Sequence, residues 1–385
     1  MIPIAKPYLT EDEAQAAYDT ILTGWITQGP KVQEFEEKFA AYTGAKYAVA
    51  VSNCTTALHL AMIVAGIGPG DEVICPSMSY IATANAIRYV GAIPVFAEVQ
   101  PNDYNLNVAD AEKRITDKTK AILLVHQIGM PADIDTFKDL CDRYSLKLIE
   151  DAACAAGSAY KGAKIGSHSE LVCFSFHPRK VISTGDGGMI TTNREDYYNR
   201  LKLLRQHGMS VNDRVRHEAS KVIFEDHVEL GYNYRMTDIQ AAVGIKQLEK
   251  LDWIVEERRK IAAAYNQAFK GIASIRLPEE KEGYFSNFQS YSIYLKGTAP
   301  VDRNTLMQHL LDKGIATRRG IMNTHREIAY KNYMPRVSLP VSEDLQENSI
   351  MLPLYVPMKA EDIVHVIDCF THEILAAADT GKAMV

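Results

Sequence analysis

The sequence predicts an α/β protein with a large, mostly parallel central sheet flanked by helices and a smaller C-terminal α+β unit. Short apolar, β-branched runs alternate with longer stretches of helical periodicity through the first half, the pattern of parallel strands joined by crossover helices. A long helical stretch follows at residues 235–270, and beyond it strands and helices mix less regularly. The length of 385 residues suits two or so domains at about 100–200 residues each, divided here as a large unit over 1–250 and a small one over 251–385.

The elements follow in chain order. "VQEFEEKFAAYTG" sets Val32, Phe35 and Phe39 on one helical face and stops at Gly44. "YAVAVS" reads as a strand running into "NCTTALHLAMIVAG", whose Asn, Thr and Thr suit a helix N-terminus and whose Leu58, Ala61 and Met62 recur at helical spacing. "DEVICP", "IPVFAEV", "AILLVHQ", "LKLIED" and "LVCFSFH" repeat the strand pattern, and "MITT" adds another after a Gly-Asp-Gly-Gly turn. The stretch from "RMTDIQ" to "YNQAF" reads as one or two long helices linking the units. "QSYSIYLKG" and "RNTLMQHLLDKG" then supply a strand and a helix of the small unit. No internal repeat is visible.

Composition narrows the function. Hydrophobic residues at 47% and charged residues at 23% belong to an ordinary globular chain, not a disordered one. A net charge of −6 without a long Lys/Arg block argues against a nucleic-acid groove. No apolar run approaches the roughly 18 residues of a membrane span, and the first residues lack a signal-peptide pattern, so a cytoplasmic protein is expected, with no membrane partner. The six cysteines include no CxxC and the histidines no HxxxH or HExxH, so no metal site is expected.

A parallel sheet binds its ligand beyond the carboxyl ends of its strands, and three such ends are chemically unusual. After "YAVAVS", small and hydroxyl residues open a helix whose free amides either hold an anion or form an ordinary N-cap. After "LKLI", Asp151 either caps the next turn or pairs with a cationic ring nitrogen. In "FSFHPRK", Lys180 is either a solvated cation or an amine able to form a Schiff base with an aldehyde. Taken together, an anion cradle, an acid for a ring nitrogen and a lysine for an aldehyde match the three handles of pyridoxal 5′-phosphate. Gly185, Gly187 and Gly188 then let the backbone fold back into "MITT".

With these motifs in place, the chain resembles the DegT/DnrJ/EryC1/StrS nucleotide-sugar aminotransferases, fold type I enzymes that use pyridoxal phosphate. The likeness runs in family order through "GWITQGPKVQEFEEKF", "SNCTTALHLAM", "PSMSYIATANAI", "GAIPVF", "HQIGMPADID", "IEDAACAAG", "FSFHPRK", "GDGGMI", "GYNYRMTDIQAAVGIKQL", "QSYSIYL" and "GIATRRG". It implies an aspartate-aminotransferase-like fold. It further implies that Lys180 forms the imine, that Asp151 lies under the pyridine nitrogen, and that Tyr80 stacks on the ring. The backbone of Cys54 and Thr55 and the hydroxyl of Ser175 would meet the phosphate, and Asn233 would reach the phosphate of a neighbouring subunit. Two positions depart from the family. Cys154 stands where a His or Gln beside the ring is usual, and a thiol is a shorter and weaker donor; Cys54 replaces a small Gly or Ala.

The resemblance implies transfer of an amino group from an amino acid, expected to be L-glutamate, to a nucleotide-linked keto sugar, most simply a 4-keto-6-deoxy sugar. That chemistry belongs to deoxyamino-sugar and polysaccharide biosynthesis, such as lipopolysaccharide O-antigen, in a homodimer with shared active sites. Some relatives carry His in place of the lysine and dehydrate sugars; the lysine here favours transamination. A non-catalytic sugar- or effector-binding protein on the same fold would be favoured by loss of Lys180 or Asp151, and both are present. His325 and Tyr330 in "THREIAY" are candidate sugar contacts, with a structural role of equal weight for His325. Arg318 and Arg319 suit a diphosphate or a solvated face. The one early glycine cluster, "GIGPGD", follows a helix and precedes a strand, the reverse of a dinucleotide fingerprint.

Overall fold

A computed structural model describes residues 1–211, 220–333 and 337–380. Each apolar run read above forms a strand: β1 (Tyr47–Val51), β2 (Glu72–Pro76), β3 (Ile93–Ala97), β4 (Thr119–Val125), β5 (Lys147–Asp151), β8 (Leu171–Ser175) and β9 (Gly188–Thr192). The short pairs β6 (Ala159–Tyr160) and β7 (Ala163–Lys164) lie between β5 and β8. The seven longer strands join in the order β1-β9-β8-β5-β4-β2-β3. Only β9 runs antiparallel to its neighbours, so the sheet is mostly parallel, as expected.

Helices cover both faces, and alternate residues of one strand therefore enter different cores. In β8, Val172 and Phe174 pack with Phe35 and Phe39 of α2 (Pro30–Thr43) and Phe137 of α6 (Ile134–Tyr144). Leu171 and Cys173 face the other way, toward Leu58 of α3 (Cys54–Val64), Ile87 of α4 (Ala82–Tyr89) and Leu201 of α7 (Glu195–Leu204). Helix α1 (Glu11–Leu22) opens on a Thr10 capping box, and α5 (Val108–Lys113) on the Asn107 side chain. Helix α2 begins with Pro30 at its first turn, where the missing N–H costs nothing. Its open amides are capped from far away: the Asp238 carboxylate accepts from Gly29 N at 2.7 Å, Val32 N at 2.9 Å and Lys31 N at 3.0 Å.

The 235–270 stretch is one helix of 32 residues, α8 (Asp238–Phe269), started by a Thr237–Gln240 capping box. It serves two cores. Leu251, Ile254 and Val255 pack in the large unit, whereas Ile261, Ala262, Tyr265 and Phe269 pack in the small one. The small unit is built on the antiparallel order β10-β12-β14-β13, with β10 at Ile275–Arg276, β12 at Tyr291–Leu295, β13 at Arg318–Arg319 and β14 at Ser349–Leu352. A further pair, β11 (Tyr284–Phe285), joins β6. The small unit's helices are α9 (Arg303–Asp312), α10 (Ile328–Lys331), α11 (Pro340–Asn348) and α12 (Ala360–Thr380). Among the described residues, no helix is long and apolar enough to cross a membrane, and no group of three His, Cys, Asp or Glu side chains is placed to hold a metal.

Candidate active site

The carboxyl ends of β1, β5 and β8 bring Cys54, Asp151 and Ser175 to one edge of the sheet. The loop after β8 turns back through a Lys180 N–H to His177 carbonyl bond of 2.8 Å and carries the Lys180 side chain toward β5. There its Nζ donates to Cys154 Sγ at 3.2 Å. Lys180 and Cys154 are both half-buried. Burial disfavours the Lys180 ammonium, but Cys154, Cys54 and Asp151 outweigh it, so its affinity for a proton lies above that of an ordinary lysine.

Asp151 closes β5 and is buried at 5% exposure. Its Oδ2 accepts from the Thr83 hydroxyl at 2.8 Å and its Oδ1 from Ala153 N at 3.1 Å. The Thr83 hydroxyl is in turn 2.7 Å from that of Ser79. No cationic side chain forms an ion pair with Asp151 among the described residues. Burial raises its pKa, and Thr83, Ala153 and Lys180 only partly offset the rise. A buried carboxylate in this state suits a cationic N–H as its further partner.

At the end of β1, Asn53 caps α3 by accepting from Thr56 N at 2.9 Å, and Thr56 Oγ1 returns to Asn53. The first two amides of the helix, Cys54 and Thr55, have no acceptor among the described residues. Gly188 sits beside them, paired in the sheet with both Val51 and Ser175. A Cβ at Gly188 would lie 2.5 Å from Asn53 C and 2.8 Å from Cys54 N, so glycine is what lets this helix end approach β9. Gly188 stands between Val51 and Ser175 in the sheet, so the free amides and the Ser175 hydroxyl share one sheet edge, a donor set suited to a phosphate. These residues fit a group with an anionic end, a basic ring nitrogen and an aldehyde.

Tyr80 lies 65% exposed in the turn that opens α4, where its carbonyl accepts from Thr83 N, which ties the tyrosine to the residue that holds Asp151. Asn233 is exposed. Its neighbours Tyr232 and Tyr234 stack at 5.0 Å and pack around His59 of α3, and Tyr234 O accepts from Ser52 N at 2.8 Å. The segment is extended, so Asn233 faces away from its own α3.

The other candidates are already engaged. His325 is buried, with Nδ1 2.6 Å from Ser77 Oγ and Nε2 3.1 Å from Glu343 Oε1. The Ser77–His325–Glu343 row resembles a nucleophile triad, but Ser77 has no exposed surface, and the row ties His325 and Glu343 to the end of β2. Tyr330 is buried and donates to Asn85 Oδ1 at 2.9 Å. Arg318 and Arg319 are exposed on the edge strand β13. Burial lowers the Arg318 pKa, and the charges of Arg179 and Arg319 lower it further.

Thr83, Ser79 and Asp238 had no motif signal of their own. Thr83 and Asp238 act on partners 68 and 209 residues away, and Ser79 matters only through Thr83, so only the hydroxyl pattern of "PSMSYIATANAI" could have pointed to the two hydroxyls. The cavities do not mark the chemistry either: one of about 400 Å³ lies between α1, α2 and α8, and one of about 240 Å³ lies between α2, β1 and α7 around Glu36 and Arg205.

The description "DegT/DnrJ/EryC1/StrS aminotransferase family" matches residues 7–371. The chain belongs to that family. It is 37% identical to GDP-perosamine synthase of Escherichia coli O157:H7 over 95% of this chain and 97% of the relative. It is 35% identical to the spore coat polysaccharide biosynthesis protein SpsC of Bacillus subtilis (strain 168) over 98% of each. Among solved structures, the putative sugar aminotransferase Spr1654 from Streptococcus pneumoniae in its PMP form superposes with a TM-score of 0.92 at 30% identity, covering 98% of this chain and 100% of that one. The same protein has also been solved in a PLP form. This DegT/DnrJ/EryC1/StrS chain is accordingly a sugar aminotransferase with the fold type I architecture.

Proposed function

We propose that the chain transfers an amino group from L-glutamate to a nucleotide-linked keto sugar, most simply a 4-keto-6-deoxy sugar, with pyridoxal phosphate bound at Lys180. The observation that carries this reading is the convergence of Lys180, the buried Asp151 and the free amides of Cys54 and Thr55 on one edge of the sheet. When bound, pyridoxal phosphate supplies an aldehyde to carry the nitrogen and a ring to accept an electron pair.

The chain's own residues do the rest. Cys54 N, Thr55 N and Ser175 Oγ hold the phosphate, and Tyr80 and Cys154 flank the ring. Asp151, fixed by Thr83 and Ala153, keeps the ring nitrogen protonated. Lys180, once its amine is free, would move the proton between Cα of the amino donor and the carbon that was the cofactor's aldehyde. Arg318 and Arg319 offer planar donors to the diphosphate, and His325 or Tyr330 would have to leave its bond to Ser77 or Asn85 to meet the sugar.

We also infer a homodimer, with Asn233 serving the partner's phosphate, and a division of the chain into a cofactor-binding unit over 1–250 and a small unit over 251–385. The exposure of Asn233 away from its own α3 supports the first, and the two cores served by α8 support the second. The name of the Escherichia coli relative, a GDP-perosamine synthase, makes a GDP-linked keto sugar the first substrate to try. Incubating the holoenzyme with glutamate and a panel of nucleotide-linked 3-keto and 4-keto sugars, read by mass, tests the reading. Conversion of one panel member to its amino sugar is expected. Release of water from the sugar without gain of nitrogen would replace transamination by dehydration.

A further inference from the structure

Two chain segments form the walls around Lys180: residues 152–156, which carry Cys154, and residues 177–180. Both are held by one short piece of the small unit. Asn287 is fully buried, and its Nδ2 donates to the carbonyls of Cys154 and Ala156, each at 2.8 Å. Its Oδ1 accepts from Gln289 N at 2.8 Å, and its backbone N–H donates to Ser158 Oγ at 3.2 Å. Two residues on, Gln289 Nε2 donates to the carbonyl of Arg179 at 2.9 Å, the peptide unit immediately before Lys180. Of the three carbonyls so held, one belongs to the residue whose thiol meets Lys180 Nζ and another to the residue that precedes Lys180 in the chain.

The piece is itself pinned from behind. Arg258 of α8 donates through Nε to Phe288 O at 2.9 Å and through Nη2 to Gln289 O at 2.6 Å and Leu354 O at 3.1 Å. It is buried without a carboxylate partner among the described residues, and burial brings its guanidinium down to about 9, still cationic at neutral pH. On the front, Gly129 comes so near that a Cβ there would lie 1.9 Å from Asn287 Oδ1. Gly129 thus packs directly against the Asn287 amide.

We propose that Asn287 and Gln289 are positioning residues for Lys180: by gripping the Cys154 and Arg179 carbonyls they fix the spacing of the two walls, and with it the Nζ to Sγ contact and the reach of the lysine. The proposal rests on the reading that Lys180 carries the cofactor. Through Arg258 the grip also links the lysine to α8 and the small unit, so a displacement of that unit is felt at Nζ. A grip on both walls from outside the large sheet does something a local turn cannot: the 152–156 wall is otherwise tied to β8 through Ala152 N and Cys173 O, whereas among the described residues the backbone of 177–180 is otherwise bonded only within its own loop.

The test uses the full chain with Gln289→Ala, a partly exposed side chain whose loss leaves the core intact, and Asn287→Asp, which keeps Oδ1 and removes both donors. Three measurements are made: the melting temperature, the pH midpoint of the visible band of the pyridoxal phosphate holoenzyme, and the rate at which iodoacetamide labels Cys154 in the apoprotein, mapped by mass. Gln289→Ala is expected to keep the melting temperature while the midpoint moves by about 0.5 pH unit or more. Cys154 labelling should speed up by roughly threefold or more as the walls part. Asn287→Asp should change both in the same direction, and if that variant does not fold, Gln289→Ala decides alone. A Gln289→Ala midpoint and labelling rate that superimpose on those of the unaltered chain overturn the proposal. If the unaltered holoenzyme shows no lysine-linked band, the cofactor reading fails instead; the labelling rate in the apoprotein then still decides the grip, an unchanged rate overturning it.

Discussion

Asp151 is shielded from water with a hydroxyl and an amide as its donors, and burial raises its pKa above the usual carboxylate value. A folded pKa above the unfolded one means the native state binds the proton more tightly. In the apoprotein this carboxyl therefore favours folding at low pH, and that contribution is lost as pH climbs from about 3.9 through the folded value. Asp151→Asn removes the penalty without disturbing the bonds: Oδ1 can still accept from Ala153 N, and Nδ2 can donate to Thr83 once that hydroxyl turns toward Ser79. Denaturation of the apoproteins at pH 7 is expected to find the variant at least as stable as the original. Turnover should nonetheless fall by about 10²-fold or more, some 2.7 kcal/mol of barrier, because an amide does not hold a ring nitrogen protonated. Turnover within about threefold of the original would remove Asp151 from the mechanism. Lys180 gives a second pH signature. Its proton is held more tightly than in an ordinary lysine, so the rate of pyridoxal phosphate attachment to the apoprotein should climb about tenfold per pH unit through the range where the ammonium dominates. A stopped-flow rate that is flat between about pH 7 and 9 would contradict the direction of that shift.

At the scale of elements, the strands and the helix starts were legible because their signals are local. β-Branched runs marked every strand of the large sheet, and Asn53, Gly44 and Pro30 punctuate helices where their own side chains or backbone dictate. The placement of Asp151, Cys54 and Lys180 was legible for a related reason: Asp151 ends a strand, and Cys54 and Lys180 lie a few residues past one, whereas Ser175 was singled out by the family resemblance alone. Thr83, Asn287 and Gln289 were not, since their meaning lies in partners 68, 133 and 110 residues away. His325 shows the same limit from the other side, because only the fold reveals that both its ring nitrogens are taken by Ser77 and Glu343. Gly188 carries the element-scale prediction. In Gly188→Ala the new methyl would strike backbone atoms of Asn53 and Cys54, which cannot swing aside as a side chain would, so the α3 N-terminus must retreat from β9. Overpacking of this kind costs about 1–3 kcal/mol. Cofactor affinity, followed by quenching of protein fluorescence, should fall by about tenfold or more while the circular dichroism spectrum is retained. Unchanged affinity would detach the helix end from the phosphate.

For the whole molecule, the question is where one chain ends and its active site begins. Asn233 turns away from the α3 of its own chain, and the dimer reading gives it the partner's phosphate. Homodimers of Lys180→Ala and of Asn233→Ala should each be impaired, the second most visibly at low cofactor concentration. Subunit exchange between them would place both lesions in one site and leave the other intact, so activity should return toward one working site per dimer. No recovery with exchange confirmed by mass would mean that Asn233 serves its own chain. Everything in this account, from the sheet edge to the dimer, turns on Lys180 as the group that carries the cofactor. Borohydride reduction of the holoenzyme, followed by peptide mapping, examines that most directly. The reduced cofactor is expected on the peptide containing Lys180 and to vanish in Lys180→Ala, whereas a cofactor fixed to any other lysine would contradict the account.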